Sequence, residues 1–180
     1  MKVILISGKA RHGKDTVARF MEQYLLEHGK KVLITHYGDL VKYTCKAFFK
    51  WNGVKDNHGR TLLQMVGTDY IRSNYPNFWV DYVVGVVTSF ADQWDYVLIP
   101  DVRFPNEISR WQECEGDNLD IISLRVVREG YESILTEEQQ AHASETALDD
   151  YDFNHIIKND SDLSELYKTV ISFIKEYMND

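Results

Sequence analysis

The sequence predicts an α/β fold built on a mainly parallel sheet, and three observations carry that prediction. Short apolar, mostly β-branched stretches recur at Val3–Ile6, Val32–Ile34, Tyr96–Ile99, Ile121–Val127 and Ile156–Ile157, separated by longer helix-like segments. The loop Gly8-Lys9-Ala10-Arg11-His12-Gly13-Lys14-Asp15-Thr16 joins the first of these stretches to an amphipathic segment. At the other end, Leu163, Leu166, Val170, Ile171, Ile174 and Met178 share one helical face, with Asp160 or Ser161 placed to cap it.

Taken in order, the opening apolar run meets Ser7 too early for a secretory core of roughly 7 to 15 residues, and reads as a buried strand. The first helix is expected to turn Val17, Phe20, Met21, Tyr24 and Leu25 inward and to end at Gly29. Residues 38–94 hold no strand pattern apart from Val80–Val87. Helices are expected near 40–50, 62–73 and 79–90, with a turn at Gly53–Gly59. The valines of 80–87 favour a strand, but Trp79, Val83, Val86, Val87 and Phe90 fit one helical face, and helix is the reading taken. Residues 128–146 are polar and rich in Glu, Gln and Ala, as a mobile flap would be; Glu129, Glu132, Glu137, Glu138 and Glu145 are expected to form a solvated face. One domain of 180 residues is expected, with 38–94 as a substrate-binding insertion and 128–146 as a lid.

Composition excludes several functions. Twenty Lys and Arg against 28 Asp and Glu leave a net charge of −8, which repels a nucleic-acid polymer. No apolar run approaches the ~20 residues of a membrane span. A cytoplasmic protein with no membrane partner is expected. Cys45 and Cys114 lie far apart and read as free thiols, and the His residues show no metal-ligand spacing, so any metal arrives with a nucleotide.

The glycine loop carries the chemistry. Gly8 and Gly13 let successive backbone N–H groups turn toward phosphate oxygens, the helix that follows adds positive potential, and Lys14 reaches the phosphates. The hydroxyl usual after the lysine is replaced by Asp15, with Thr16 one place later. Asp15 either holds magnesium or is an N-terminal helix charge. Tyr96–Ile99 runs through Pro100 into Asp101, the carboxylate expected on the magnesium-side strand; its alternative role is to cap a helix from Pro105. Arg103, Asn106 and Glu107 follow where a second substrate would meet the phosphates, with Arg103 able to grip a phosphate bidentately.

These residues together resemble the deoxynucleoside monophosphate kinases of the P-loop kinase group, to which animal phosphomevalonate kinases look related. The carriers are the Gly-Lys-Asp-Thr loop, Arg60 with Leu63-Gln64-Met65-Val66-Gly67-Thr68-Asp69 and Arg72, the segment Asp101-Val102-Arg103-Phe104-Pro105-Asn106-Glu107, and His142-Ala143-Ser144-Glu145. The resemblance implies a P-loop kinase three-layer sandwich with a five-stranded parallel sheet, a helical substrate-binding insertion and a short lid. It also implies ATP and Mg2+ as cofactors and transfer of a phosphoryl group to a nucleotide monophosphate, by a monomer or homodimer. ATP phosphates fall on Gly8, Lys9, Ala10, Arg11, His12, Gly13, Lys14, Asp15 and Thr16, with Asn159 near the base. Asp15, Thr16 and Asp101 form the metal side. The monophosphate falls near Lys42, Arg60, Arg72 and Arg103, with Gln64 at a base edge, Phe78 or Trp79 stacking, and Asp39 and Glu107 alongside. The flap lacks the several arginines of adenylate kinase lids, which leaves Arg125 and Arg128 as lid cations. The alternatives are a kinase of another small metabolite, of phosphomevalonate or dephospho-coenzyme A type, and a non-catalytic ATP-binding regulator.

Overall fold

A computed structural model describes residues 1–114 and 119–178, the side chain of Met178 excepted. Five strands, β1 (Lys2–Ser7), β2 (Val32–Ile34), β3 (Tyr96–Val102), β4 (Asp120–Val127) and β5 (His155–Lys158), form one parallel sheet in the order β2-β3-β1-β4-β5. Each contains one of the five apolar stretches. Parallel strands need both faces covered, and the two-residue period of a strand delivers alternate side chains to the two faces. Ile4, Ile6, Leu98 and Leu124 pack with Val17, Met21, Leu25, Val170 and Ile174 of α1 (Lys14–Glu27) and α8 (Leu163–Met178). Val3, Leu5, Val97 and Ile99 face the other way, onto Trp79, Val83, Val87, Ile108 and Trp111 of α4 (Phe78–Ser89) and α5 (Asn106–Gln112). The result is the three-layer sandwich expected.

Pro100 sits inside β3, where a missing N–H would break a ladder. The register of β3 with β1 slips there, from Leu5 opposite Ile99 to Ser7 opposite Val102, and β2 has already ended at Ile34. The absent donor therefore costs no strand pairing.

Helix α1 ends as its sequence required, with Gly29 donating to the Leu26 carbonyl and Lys30 to that of Leu25. The insertion forms α2 (Gly38–Phe49), then α3 (Asn57–Gln64) running into a π-helical segment Met65–Arg72, and α4. Helix thus starts five residues before the expected position 62, and Gly59 belongs to α3, not to a turn: a side chain there would collide with the Val54 carbonyl and the Trp51 indole. Cys45, Trp51 and Val66 make a small core of their own in the insertion. Val80–Val87 is helical, but its buried face is Trp79, Val80, Val83 and Val87, whereas Val86 and Phe90 are exposed.

The final helix corrects two expectations. Its cap is Asp162, which accepts from the N–H groups of Ser164 and Glu165 at 2.8 and 3.0 Å, in place of Asp160 or Ser161. Leu163 is 66% exposed, because the first turn of α8 projects past the edge of the core. Residues 128–146 contain two short helices, α6 (Glu137–Ala141), closed by a Thr136–Gln139 capping box, and α7 (Ala143–Thr146). Among the described residues, no helix is long and apolar enough to cross a membrane.

Candidate active site at the phosphate loop

Strand β1 lies at the sheet's centre, its neighbours β3 and β4 leaving toward opposite edges, so the loop at its carboxyl end occupies the switch point where open α/β sheets bind ligands. Residues Gly8–Gly13 fill that crevice. Gly8 has φ +147° and a side chain there would lie 2.4 Å from the Val126 carbonyl, while Gly13, at φ +101°, would strike the Asn159 amide at 2.6 Å. Both must be glycine. Arg11 adopts φ 61°, a left-handed conformation that costs on the order of 1 kcal/mol and that the loop imposes. Asn159, from the end of β5, donates to the His12 carbonyl at 2.9 Å and braces the loop from outside.

Lys14 is 7% exposed, its ammonium donating to the carbonyls of Gly8 at 2.6 Å and Lys9 at 2.8 Å. Burial, with Arg103 next, lowers its pKa to about 8, although Glu145, Asp15 and Asp101 pull the other way. Phosphate binds the charged form, so ATP affinity should be flat below pH 8 and fall by up to about tenfold per unit above it. Titration calorimetry across that range checks this. Proton uptake on binding near pH 8 is the matching signature, and an affinity independent of pH would contradict it.

A cavity of about 390 Å³ opens beside the loop. Its walls bring together Ala10, Arg11, Lys14, Asp15 and Asp101 with Lys42, Arg60, Gln64, Arg72, Trp79 and Arg103, elements drawn from both sides of the chain's long insertion. Asp101 caps α2, accepting from the N–H groups of Tyr37 at 3.1 Å and Gly38 at 2.8 Å, and not the helix after Pro105. Asp15 faces His36 Nε2 at 3.3 Å; that hydrogen bond raises His36 and lowers Asp15.

Other predicted residues stand elsewhere. Thr16, Arg128 and Asn159 line a second cleft on the far side of the loop, with Arg11, Gly13 and Leu163. There the Arg128 guanidinium lies over the Tyr131 ring at 4.9 Å, and the Arg128 N–H donates to His12 Nδ1 at 3.1 Å. Arg125 is tied to Asp149 and to the Leu148 carbonyl. Neither lid arginine lines the cavity. Asp39 pairs with Lys42 at 2.7 Å, and Phe78 is 49% exposed away from the cavity wall. Trp79 forms the cavity floor but is a core residue, its indole donating to the Gly67 carbonyl at 2.8 Å.

Glu107 does not face the cavity. It is 2% exposed, pairs with Arg72, and accepts the N–H groups of Arg103 and Phe104 at 2.6 and 3.1 Å. Burial pushes its carboxyl up to about 7 despite Arg72. Arg72 also stacks on Phe104 at 3.9 Å, so the Asp-Val-Arg-Phe-Pro-Asn-Glu segment folds back to fix the cavity's cations. Glu145 is likewise no solvated residue: its carboxylate pairs with Arg103 and accepts the Ala10 N–H at 3.1 Å.

The cavity also holds residues that sequence reasoning passed over, notably His36, Lys55 and Gln139. Lys55 is the informative one. Desolvation, with Lys42 and then Arg60 and Arg103, lowers its pKa, and neither Lys55 nor Arg60 has an ion-pair partner among the described residues. A basic run, Lys46, Lys50, Lys55 and Arg60, in an otherwise acidic chain was the available signal.

The sequence profile described as deoxynucleotide monophosphate kinase matches residues 41–170. The chain belongs to the deoxynucleotide monophosphate kinase family. Among its relatives, the deoxynucleotide monophosphate kinase of Enterobacteria phage T4 is 28% identical over 127 residues, which cover 69% of this chain and 48% of that protein. The chain thus spans about half the length of that curated relative. The fold is also that of APS kinase from Mycobacterium tuberculosis. A Cys556Ala mutant superimposes with a TM-score of 0.55 at 15% identity, covering 97% of this chain and 96% of the other. A complex with AMPPNP and APS gives 0.55 at 14%, covering 97% of each. The family match begins at residue 41, so in this member of the deoxynucleotide monophosphate kinase family the phosphate loop rests on its own sequence and geometry.

Proposed function

We propose that the protein transfers the γ-phosphoryl group of ATP to a deoxynucleoside monophosphate. The observation that carries this reading is the sharing of one cavity by Ala10 and Lys14 of the phosphate loop, by Asp101 of β3, and by Lys55 and Arg60, two cations without an ion-pair partner among the described residues. Two polyanions must meet for such a reaction, and in a chain of net charge −8 only clustered cations offset their repulsion. The family assignment and the name of the phage relative support the deoxynucleotide as acceptor.

The base and ribose of ATP enter by the cleft of Arg11, Arg128 and Asn159, and its phosphates cross the loop toward Lys14. An oxygen of the acceptor monophosphate, held by Lys55, Arg60 and Lys42, attacks the γ-phosphorus. The bond from that phosphorus to the β–γ bridging oxygen breaks, ADP leaves, and the acceptor becomes a diphosphate. No protein nucleophile is required, because alignment and charge neutralisation carry the barrier. Gln64 and Thr68 offer polar groups to the acceptor base over the Trp79 floor.

Asp15 and Asp101 suit Mg2+, since both are hard carboxylate donors that line the cavity with Lys14. Mg2+ is usually held by one or two carboxylates together with phosphate oxygens, a demand that two such residues meet. Bound there, Mg2+ would neutralise charge on the phosphates. Thr16, on the other cleft, takes no part in this arrangement.

A coupled assay of ADP release, with ATP, magnesium and each common deoxynucleoside monophosphate in turn, tests the proposal. At least one should be phosphorylated well above the rate of ATP hydrolysis alone. Intact ATP binding with no acceptor used among them would overturn it in favour of another small-metabolite kinase or an ATP-binding regulator.

A further inference from the structure

Glu145 stands where a solvated glutamate was expected and touches three parts of the site. Its side chain is only 7% exposed. One carboxylate oxygen accepts the Ala10 N–H at 3.1 Å; the other pairs with Arg103 Nη1, which also donates to the Ser144 carbonyl at 2.8 Å. Its charge raises the affinity of Lys14 for a proton. A loop N–H, a guanidinium and a nearby ammonium are the partners a phosphate oxygen needs.

The direction of the phosphate chain identifies which phosphate. Gly13, Thr16 and Asn159 line the nucleoside cleft but not the cavity, whereas Ala10 lines the cavity and not the cleft. The phosphate nearest the nucleoside therefore lies toward Gly13, and the terminal one lies toward Ala10. One N–H cannot serve a carboxylate and a γ-phosphate together, and two anions within contact distance repel strongly where water is scarce.

We propose that Glu145 is a positioning residue whose carboxylate holds the γ-phosphate seat of the phosphate loop, and that ATP displaces it and releases Arg103 to the phosphates. This rests on the kinase reading above. The element that must move is small: α7 is four residues long. It is held on its other side by His142, whose Nε2 lies 3.1 Å from Asp69 and whose Nδ1 accepts from Ser144. Asp69 belongs to the π-helical segment that carries Gly67 and Thr68 of the cavity wall. The latch therefore spans both sides, and while Glu145 holds Arg103 the guanidinium is neutralised and kept from an acceptor.

The test compares ATP with ADP, which lacks the phosphate in question. In titration calorimetry with magnesium, E145Q should bind ATP about tenfold more tightly than wild type while its ADP affinity stays within about twofold. E145D, one methylene shorter, draws the carboxylate back from the Ala10 N–H; it should show a smaller gain that is again selective for ATP, and it covers the case in which E145Q does not fold. An unchanged or weaker ATP affinity, or an equal change for ATP and ADP, would overturn the proposal and leave Glu145 as a structural anchor. No acceptor is present in this experiment, so a failure of the kinase reading would show in the acceptor assay alone.

Discussion

Replacing Lys14 with alanine is expected to cut phosphoryl transfer by at least roughly a hundredfold, the loss that follows removal of one strong charge-stabilising group from a transition state. The ammonium is a buried cation at the start of α1 that lines the cavity, and it donates to the carbonyls of Gly8 and Lys9. It belongs to none of the hydrophobic clusters, and burying a charged amine whose pKa is lowered costs stability below pH 8. The variant should therefore melt within a few degrees of wild type. Turnover by the coupled assay and a thermal melt decide it together. Wild-type turnover would remove the phosphate-loop assignment, and a collapsed melt would show that the lysine's bonds to the loop are structural.

The largest effect on stability is expected at Glu107→Ala. Its carboxylate neutralises Arg72, whose guanidinium side chain is 12% exposed, and receives two backbone N–H groups at the start of α5. Truncation strands a buried cation and two amides. Breaking a buried pair from one side costs about 3–5 kcal/mol. At roughly 2–4 °C per kcal/mol for a domain of this size, the melting temperature should fall by on the order of 10 °C. Glu107→Gln keeps an acceptor for the amides and should fall less. A melt of Glu107→Ala at the wild-type temperature would mean that Arg72, whose Nε is already buried without a hydrogen-bond partner among the described residues, finds water or another acceptor.

Sequence periodicity located the sheet well because burial on both faces forces continuous apolar stretches, and all five became strands. The helices of the insertion were located less well. Val86, Phe90 and Leu163 fit an apolar face by spacing yet remain exposed, since a helical period says which residues share a face but not how far the neighbouring element extends. Nor did spacing distinguish a helix from the π-helical segment at Met65–Arg72.

The phosphate loop was determined by the sequence itself: its glycines, its lysine and the strand and helix around it are contiguous, and local backbone geometry enforces them. Asp101 was legible for the same reason, standing near the end of an apolar strand. What only the tertiary structure decided was which charges meet. Glu107 and Arg72 are 35 residues apart, Arg103 and Glu145 42, and Ala10 and Glu145 135. Coulomb attraction acts through space, so a glutamate in a polar stretch reads as solvated until folding sets a guanidinium beside it. Lys55 and Arg60 came to share a cavity with Lys14 by the same route, through the way residues 50–64 pack beside the open end of the sheet.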